Sequence, residues 1–241
     1  MYFCGKFENC NQMLQTSIAF LRELIANNHK EWFDANRHYY REAQDEFNRF
    51  IDRLIAEIRL FDPSIGSLTV KECVYRIYRD VRFSNDKTPY KNHFGAYIAQ
   101  EGGRKSPLGG YYFHVEPTNA GYLNNSMWAG GIYCPDAPTL KAIRTDIFEH
   151  PEEYKAIIQN DDFVDTFQWF DGNMLSTVPK GFPKDFPDMN LIKRKDYTYY
   201  RNIDEQTLQS DHLLEESIRV FKLMLPFNRF MNRAILYHRG N

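Results

Sequence analysis

The sequence predicts an α+β fold, in which a mainly antiparallel sheet of about five strands packs against a long N-terminal helix and C-terminal helices. Apolar residues recur at helical spacing towards both ends of the chain, whereas its middle consists of short aromatic and β-branched segments separated by Gly, Pro and Asn. Strands that follow one another through short connections favour antiparallel pairing. A sheet of this kind is the natural partner for an amphipathic helix.

The chain is expected to form one domain. Its 241 residues, 43% of them hydrophobic, suffice to bury a sizeable core. No internal repeat, low-complexity tract or flexible linker interrupts it, so a single α+β domain is predicted over 16–241, after a loose polar leader at 1–15. No apolar run approaches the roughly 20 residues of a membrane span, and no secretory signal pattern is visible. The expected location is therefore cytoplasmic, with no membrane partner.

Two helices are predicted first. A short helix is expected to begin at a cap formed by Thr16 or Ser17. Asn28 is expected to cap the second helix, because Glu31 stands three positions further on and completes a capping box. Apolar and aromatic side chains then keep helical spacing as far as about Leu60, which predicts one long helix.

The later elements follow from turn residues and periodicity. Strands are predicted at 73–79, 93–100, 111–116 and 122–134, with another near 195–201. Asp136 is expected to cap the helix that follows the fourth strand, and Pro151 to begin the next helix. A last helix is predicted over about 210–236, with a kink or break at Pro226.

Charge is concentrated in the segment 76–91, RIYRDVRFSNDKTPYK, although the net charge of the whole chain is only −2. This segment holds five basic and two acidic side chains. Ser84 to Asp86 is typical turn sequence, and Pro89 restricts the residue before it, so an ordered loop is predicted. Guanidinium and ammonium groups on an ordered loop are typical of phosphate or carboxylate recognition.

Polar side chains of the strand predicted at 111–116 are expected to face the same pocket as the charged segment 76–91. Alternation along 111–116 places Tyr112, His114 and Glu116 on one face of that strand. Imidazole titrates near neutrality and a carboxylate can orient it, which is the basis of acid–base chemistry. The candidates for ligand binding are Arg76, Arg79, Arg82, Asp86, Lys87, Lys91, Tyr112 and Glu116. The candidates for proton transfer are Asp80, His93 and His114.

No metal site is predicted and no cofactor is indicated. The four cysteines are scattered, and no Cys or His pair has zinc spacing, so the thiols are expected to be reduced and mostly to pack in the interior. Walker A, G-x-S-x-G and G-x-G-x-x-G motifs are absent from the sequence. Their absence excludes the commonest nucleotide-binding and hydrolase classes.

Three classes of function are open at this point. The first is a cytoplasmic domain that binds a phosphorylated or otherwise anionic ligand, with or without catalysis. The second is nucleic-acid binding through the basic segments 71–105 and 180–201, against which the net charge of −2 argues. The third is a non-catalytic protein-interaction module that uses the Pro-rich loop 178–187. For the charged loop itself, the alternative to a binding site is a set of structural ion pairs, Arg76–Asp80 and Arg82–Asp86.

Several long segments are similar to a known family. They are FLRELIANNHKEWFDANRHYY, YRIYRDVRFSNDKTPYKNHFGAY, YYFHVEP, GGIYCPD, LKAIR and VPKGFPKDFP. On these segments the chain resembles the uncharacterised family catalogued as domain of unknown function 2461, from about Ile18 to Phe221. The resemblance implies no particular activity. It implies that the following residues match the motif that defines the family: Arg76, Arg79, Asp80, Arg82, Ser84, Asp86, Lys87, Pro89, Tyr90 and Lys91. The sequence departs from the motif at Asn85, where members of the family often have lysine.

Overall fold

The structure is a computed structural model, and it describes residues 13–170 and 172–239. Its centre is a five-stranded sheet with the strand order β1-β2-β3-β5-β4, in which all neighbouring strands are antiparallel. The strands are β1 (Phe94–Ile98), β2 (Gly110–Val115), β3 (Ser126–Ile132), β4 (Gln168–Trp169) and β5 (Tyr197–Ile203). Residues 1–12 of the predicted leader lie outside the described residues.

Helices precede, interrupt and follow the sheet in the sequence. They are α1 (Gln15–Ala26), α2 (Lys30–Ala35), α3 (Arg37–Phe61), α4 (Val70–Cys73), α5 (Ala137–Glu149), α6 (Pro151–Ile158), α7 (Asp161–Thr166), α8 (Met189–Ile192), α9 (Glu205–Leu208) and α10 (Leu213–Arg239). Within the described ranges, no helix is both long and apolar enough to cross a bilayer. The connection from β3 to β5 contains α5 to α8 and the edge strand β4.

The helices α3 and α10 cover one face of the sheet and form the core with it. Phe113 of β2 is fully buried against Phe50 of α3, with 4.8 Å between the ring centroids. Its neighbour across the sheet, Trp128, is also buried and donates a hydrogen bond of 2.8 Å from Nε1 to Ser217 Oγ of α10. The predicted α+β fold class is therefore confirmed.

The opposite face of the sheet carries the other set of alternating side chains. Tyr97 of β1 and Tyr112 of β2 are paired in register on this face. Gly95 allows the Tyr112 ring to lie across β1, because a Cβ atom at this position would come within 2.7 Å of the Tyr112 hydroxyl oxygen. Over the described ranges no helix layer packs on this face, and it forms the floor of a cavity.

The prediction of a strand at 73–79 is wrong. Val70–Cys73 forms α4 instead, with a capping box between Thr69 and Glu72 that the sequence-based interpretation missed. The following residues run alongside β1, but their only bridge to it is Val74–Ala96. Alternation of apolar and polar residues indicates extended backbone, and it does not say whether that backbone joins the sheet.

The residues that follow fold back on themselves as the charged hairpin, which we define as residues 77–91. Its two arms are joined by the hydrogen bonds from Lys91 N to Ile77 O (2.8 Å) and from Arg79 N to Pro89 O (2.9 Å). Asn28 fixes the hairpin to the helices, because its side chain donates to the Tyr90 carbonyl and accepts from the Tyr90 amide. The ordered loop predicted here is thus an antiparallel hairpin.

Helix boundaries differ from the prediction at four places. His29 caps α2 instead of Asn28, and the predicted long helix is interrupted at Asn36, between α2 and α3. The predicted caps of α1 are also wrong, because the helix begins at Gln15 and the amides at 16 and 17 donate to Glu46 of α3. Of the kink or break predicted at Pro226, the break is wrong, because α10 continues through this residue, and the kink stays a prediction. The Asp136 cap of α5 is confirmed by a hydrogen bond of 2.9 Å from the amide at 139.

Candidate functional site

A cavity of about 930 Å³ lies on the sheet face opposite α3 and α10. Its floor includes Tyr97, Tyr112 and Met127, and the charged hairpin forms one wall. The loop 120–123 and the segment 132–136 also line it. This volume is in the range of small-molecule sites, which extend from roughly 300 to 1,000 Å³.

Aromatic side chains dominate the lining of the cavity. They are Tyr75, Tyr90, Tyr97, Tyr112, Tyr122, Tyr133 and Phe170. Tyrosine combines a flat apolar face with a polar hydroxyl group, so the cavity can accommodate a planar or apolar body and bond its polar edges. The charged lining residues are balanced in number, with Arg79, Lys91 and Arg104 against Asp80, Asp86 and Asp136.

A buried hydrogen-bond network lies beneath this lining. The side chains of His114 and Glu116 are fully buried, and His114 Nε2 lies 2.9 Å from a Glu116 carboxylate oxygen. His114 Nδ1 lies 2.9 Å from the Tyr112 hydroxyl oxygen. Because the carboxylate can only accept, His114 must carry its proton on Nε2, and the Tyr112 hydroxyl therefore donates to Nδ1. The network runs from Tyr112 at the cavity through His114 to Glu116.

Glu116 is held as a carboxylate by several donors. The amides of Tyr122 and Leu123 donate to it at 2.9 and 2.8 Å, in addition to His114. Burial alone would raise the pKa of the Glu116 carboxyl group, but these hydrogen bonds outweigh burial and lower the pKa. Burial also lowers the pKa of His114, and Glu116 offsets this only in part, so the imidazole is neutral. The network therefore fixes the loop 120–123 against the sheet.

His93 lies in the cavity wall between two other rings. Its centroid is 4.7 Å from that of His114 and 4.5 Å from that of Tyr122, with the Tyr122 ring nearly parallel to it. The Asn92 amide nitrogen donates to the Ala120 carbonyl, so the Asn92 amide oxygen accepts from His93 Nδ1 at 3.1 Å. Burial, reinforced by nearby positive groups, lowers the pKa of His93 to about 2. His93 is thus neutral, with a lone pair on Nε2.

Lys91 is a half-buried cation of the cavity lining. Its ammonium group lies 5.3 Å from the centroid of the Tyr75 ring. Burial lowers the pKa of Lys91, and the positive charge of Arg76 lowers it further. Among the described residues, no ion pair joins Lys91 to an acidic side chain. An unpaired, half-buried ammonium group favours an anionic ligand.

Most other charges of the hairpin are used within it. Arg79 pairs with Asp86 at 2.5 Å, and Arg82 pairs with Asp80 at 2.6 Å. The Lys87 ammonium group donates to the Val81 carbonyl at 3.0 Å. Structural ion pairs are therefore present, but their partners differ from those expected. Asp80 pairs with Arg82 instead of Arg76, and Asp86 pairs with Arg79 instead of Arg82. Arg79 can reach Asp86 because its amide bonds to the Pro89 carbonyl on the other arm of the hairpin, close to Asp86 in the chain.

The structure divides the predicted site residues into three groups. Those that line the cavity are Arg79, Asp80, Asp86, Lys91, His93 and Tyr112. His114 and Glu116 lie directly behind Tyr112 and His93. Arg76, Arg82 and Lys87 do not line it.

Tyr75, Asn92, Arg104 and Tyr122 are among the lining residues that the sequence-based interpretation missed. Asn92 lies in a connecting segment with no periodic pattern. Tyr122 lies in the loop before β3, although a strand was predicted to begin there. Tyr75 fell within the strand predicted at 73–79, which does not form, and Arg104 was considered only as part of the basic segment 71–105. Asn92 lies within a segment shared with the family, and that is the signal that could have drawn attention to it.

The second basic segment and the Pro-rich loop are largely used in packing. Arg194 lies 4.3 Å from the centroid of the Trp169 ring and donates to the Tyr199 hydroxyl at 2.6 Å. Arg201 pairs with Glu216 of α10 at 3.0 Å. In the Pro-rich loop, Phe182 and Phe186 pack on Phe148 of α5, with centroid distances of 5.6 and 4.9 Å.

One group of potential metal ligands occurs in the part of the chain that the structure describes. It consists of Asp146, Glu149 and His150 at the end of α5. Asp146 already pairs with Arg233 at 2.9 Å. The group lies apart from the cavity lining, and exposed acidic groups of this kind are common without an ion.

The fold and the cavity define an α+β protein with helices on one face of an antiparallel sheet and a small-molecule-sized cavity on the other. A family model described as a conserved hypothetical protein (DUF2461) matches residues 16–230. The chain therefore belongs to this family, which confirms the resemblance seen in its motifs. No curated protein and no solved structure matches the chain.

Proposed function

We propose that the cavity binds a small organic anion, with its carboxylate or phosphate group beside Lys91. The observation that carries this proposal is the half-buried ammonium group of Lys91, which has no carboxylate partner among the described residues and whose pKa is lowered by burial and by Arg76. An anion would supply the missing counter-charge. It would also restore the pKa of Lys91 towards its ordinary value.

The lining supports a ligand whose body is planar or apolar. The Tyr75 ring lies under the Lys91 ammonium group, and Tyr97 and Tyr112 form the floor. His93 adds a hydrogen-bond acceptor, because its Nε2 atom makes no hydrogen bond in the described structure. A hydroxyl or amide donor on the ligand would complement this atom.

Binding is better supported than catalysis by the geometry. A general base works best when its pKa lies near the working pH, and burial lowers the pKa of His93 to about 2. The Asp80 carboxylate is bound by Arg82, and His114 is fully enclosed. Proton transfer at Asp80, His93 or His114 stays a prediction, as does the cytoplasmic location.

The test is a ligand screen with a matched pair of variants. Phenyl phosphate, 4-hydroxybenzoate and nucleoside monophosphates would be screened by thermal shift, and hits measured by titration calorimetry. Lys91→Met keeps the apolar stem and removes the charge, whereas Lys87→Met removes the same charge from the hairpin outside the cavity. We expect a hit that binds wild type and Lys87→Met equally and Lys91→Met at least about tenfold more weakly.

Two outcomes would contradict the proposal. One is a panel without a single hit, and the other is a hit that binds Lys91→Met as tightly as wild type. Loss of folding is not expected to obscure the comparison. Burial lowers the pKa of Lys91, so the charged form is disfavoured in the folded state and its removal should not lower the melting temperature.

A further inference from the structure

A second concave surface lies beside the cavity. We call it the basic groove and define it by its charged lining: Arg49, Lys71, Arg76, Lys91, Arg104 and Lys105, with Asp45 and Asp52. Its volume is about 1010 Å³, and α3 and the residues around α4 contribute to its walls. Six cations face two acids, so the lining carries a net charge of +4 at neutral pH.

The cations of the groove differ from Arg79 and Arg82 of the charged hairpin in having no carboxylate partner among the described residues. None of the six is joined to a carboxylate by an ion pair within the described ranges, whereas Arg79 and Arg82 of the hairpin both are. The arginine that does form a hydrogen bond in the groove, Arg104, donates to the backbone carbonyl of Lys71. Burial is the main cause of the lowered pKa of Lys91, and the positive charge of Arg76 is the second cause. Positive groups of the groove therefore repel one another. Such a surface is stabilised by anions.

The distribution of these cations favours several anionic groups in a row. Arg49 lies on α3, Lys71 and Arg76 lie at and after α4, and Arg104 and Lys105 lie on a short 3-10 helix at Gly103–Lys105. Guanidinium forks bind phosphate oxygens in pairs, and ammonium groups add point charges. A single monoanion would engage one of these three segments, whereas a chain of phosphates would reach all of them.

The groove is continuous with the cavity. Tyr75, Lys91 and Arg104 line both surfaces. We propose that the basic groove binds successive phosphate groups of one ligand, in addition to the anion site inside the cavity. Two sources share this chemistry, a free oligophosphate and the phosphodiester backbone of a single-stranded nucleic acid, and a titration can distinguish them.

The test uses two double variants that remove equal charge from different surfaces. Arg76→Ala with Lys105→Ala removes two cations of the groove that do not line the cavity, and Arg82→Ala with Lys87→Ala removes two from the hairpin that line neither surface. The probes are inorganic tripolyphosphate and an oligothymidylate of about ten nucleotides. Each is titrated at low and moderate salt.

We expect wild type and the hairpin double variant to bind at least one probe alike, and the groove double variant to bind it at least about tenfold more weakly, with a smaller salt dependence. Tighter binding of tripolyphosphate would indicate a free oligophosphate, and tighter binding of the oligonucleotide would indicate a backbone. Absence of binding to both probes, equal loss in both double variants, or no loss in the groove variant would overturn the proposal. Because Arg76 and Lys105 lie outside the cavity, the groove variant should retain the cavity ligand, so the two proposals fail separately.

Discussion

His93 should make the stability of the protein depend on pH. Burial lowers its pKa from an ordinary 6.5 to about 2 in the folded state. Below pH 6.5 the unfolded chain therefore binds a proton at this residue that the folded chain does not, and stability falls as pH falls from 6.5 towards 2. Above pH 6.5 neither state is protonated there, and His93 contributes no pH dependence.

The size of this effect follows from the pKa difference. One proton taken up only by the unfolded state costs roughly 1.4 kcal/mol for each pH unit. Between pH 7 and pH 5, His93 alone should therefore remove about 2 kcal/mol of folding free energy. This figure is insensitive to the folded pKa, provided that it lies below roughly 4. It is a large part of the 5 to 15 kcal/mol typical of domains.

The perturbation is His93→Gln, and the assay is urea unfolding followed by tryptophan fluorescence at pH 7, 6 and 5. The loss of stability from pH 7 to 5 should be about 2 kcal/mol smaller in the variant than in wild type. Carboxylates and His114 contribute to both proteins and cancel in the difference. His212→Gln is the matched control, because the His212 side chain is 84% exposed. Equal pH dependence in wild type and His93→Gln would refute the reasoning, since His93 would then accept its proton in the folded state.

Three further predictions concern packing and capping, and urea unfolding checks each of them. Gly95→Ala should destabilise the protein by about 1–3 kcal/mol, because the new Cβ would lie 2.7 Å from the Tyr112 hydroxyl oxygen. Adding Tyr112→Phe to this variant should recover part of the lost stability. Phe33→Ala should lower the stability by about 3–5 kcal/mol, because this buried ring stacks on the ring of residue 90 with 3.9 Å between the centroids. Phe83→Ala, at a 96% exposed position, should stay within about 0.5 kcal/mol of wild type. Asp136→Ala should lower the stability by about 1 kcal/mol through loss of the α5 cap, whereas Asp136→Ser should retain most of the stability that the cap provides. For each of the three predictions, equal stability of the two variants compared would contradict the structural assignment.

Local patterns predicted four of the five strands, all except the edge strand β4. Alternation along β2 placed Tyr112, His114 and Glu116 on one face, and the structure places them there because side chains of a strand alternate whatever surrounds it. The Asp136 cap was equally local, since it joins a side chain to an amide three residues away. Predictions of this kind need only the neighbouring residues in the sequence.

Patterns that depend on distant residues were predicted poorly. Asn28 has the sequence of a helix cap, but its side chain is bound by the backbone of Tyr90 instead. The ion pairs of Arg79 and Arg82 follow from the register of the charged hairpin, which spacing along the chain did not specify. In the predicted strand at 73–79, Cys73 is helical, and the described residues that follow bridge to β1 only at Val74.

The sequence alone determined the fold class, the polar face of β2 and the family, because periodicity, turn residues and a long motif are properties of adjacent positions. Tertiary structure decided which of the charged side chains are neutralised, because a cation and its partner can be close in space and distant in the chain. It left Lys91 half-buried beside Tyr75, with no ion pair to a carboxylate of the described residues, and it gathered cations from three separate segments into the basic groove. Burial and the distance between charges set electrostatic energies, and neither is a local property of the sequence.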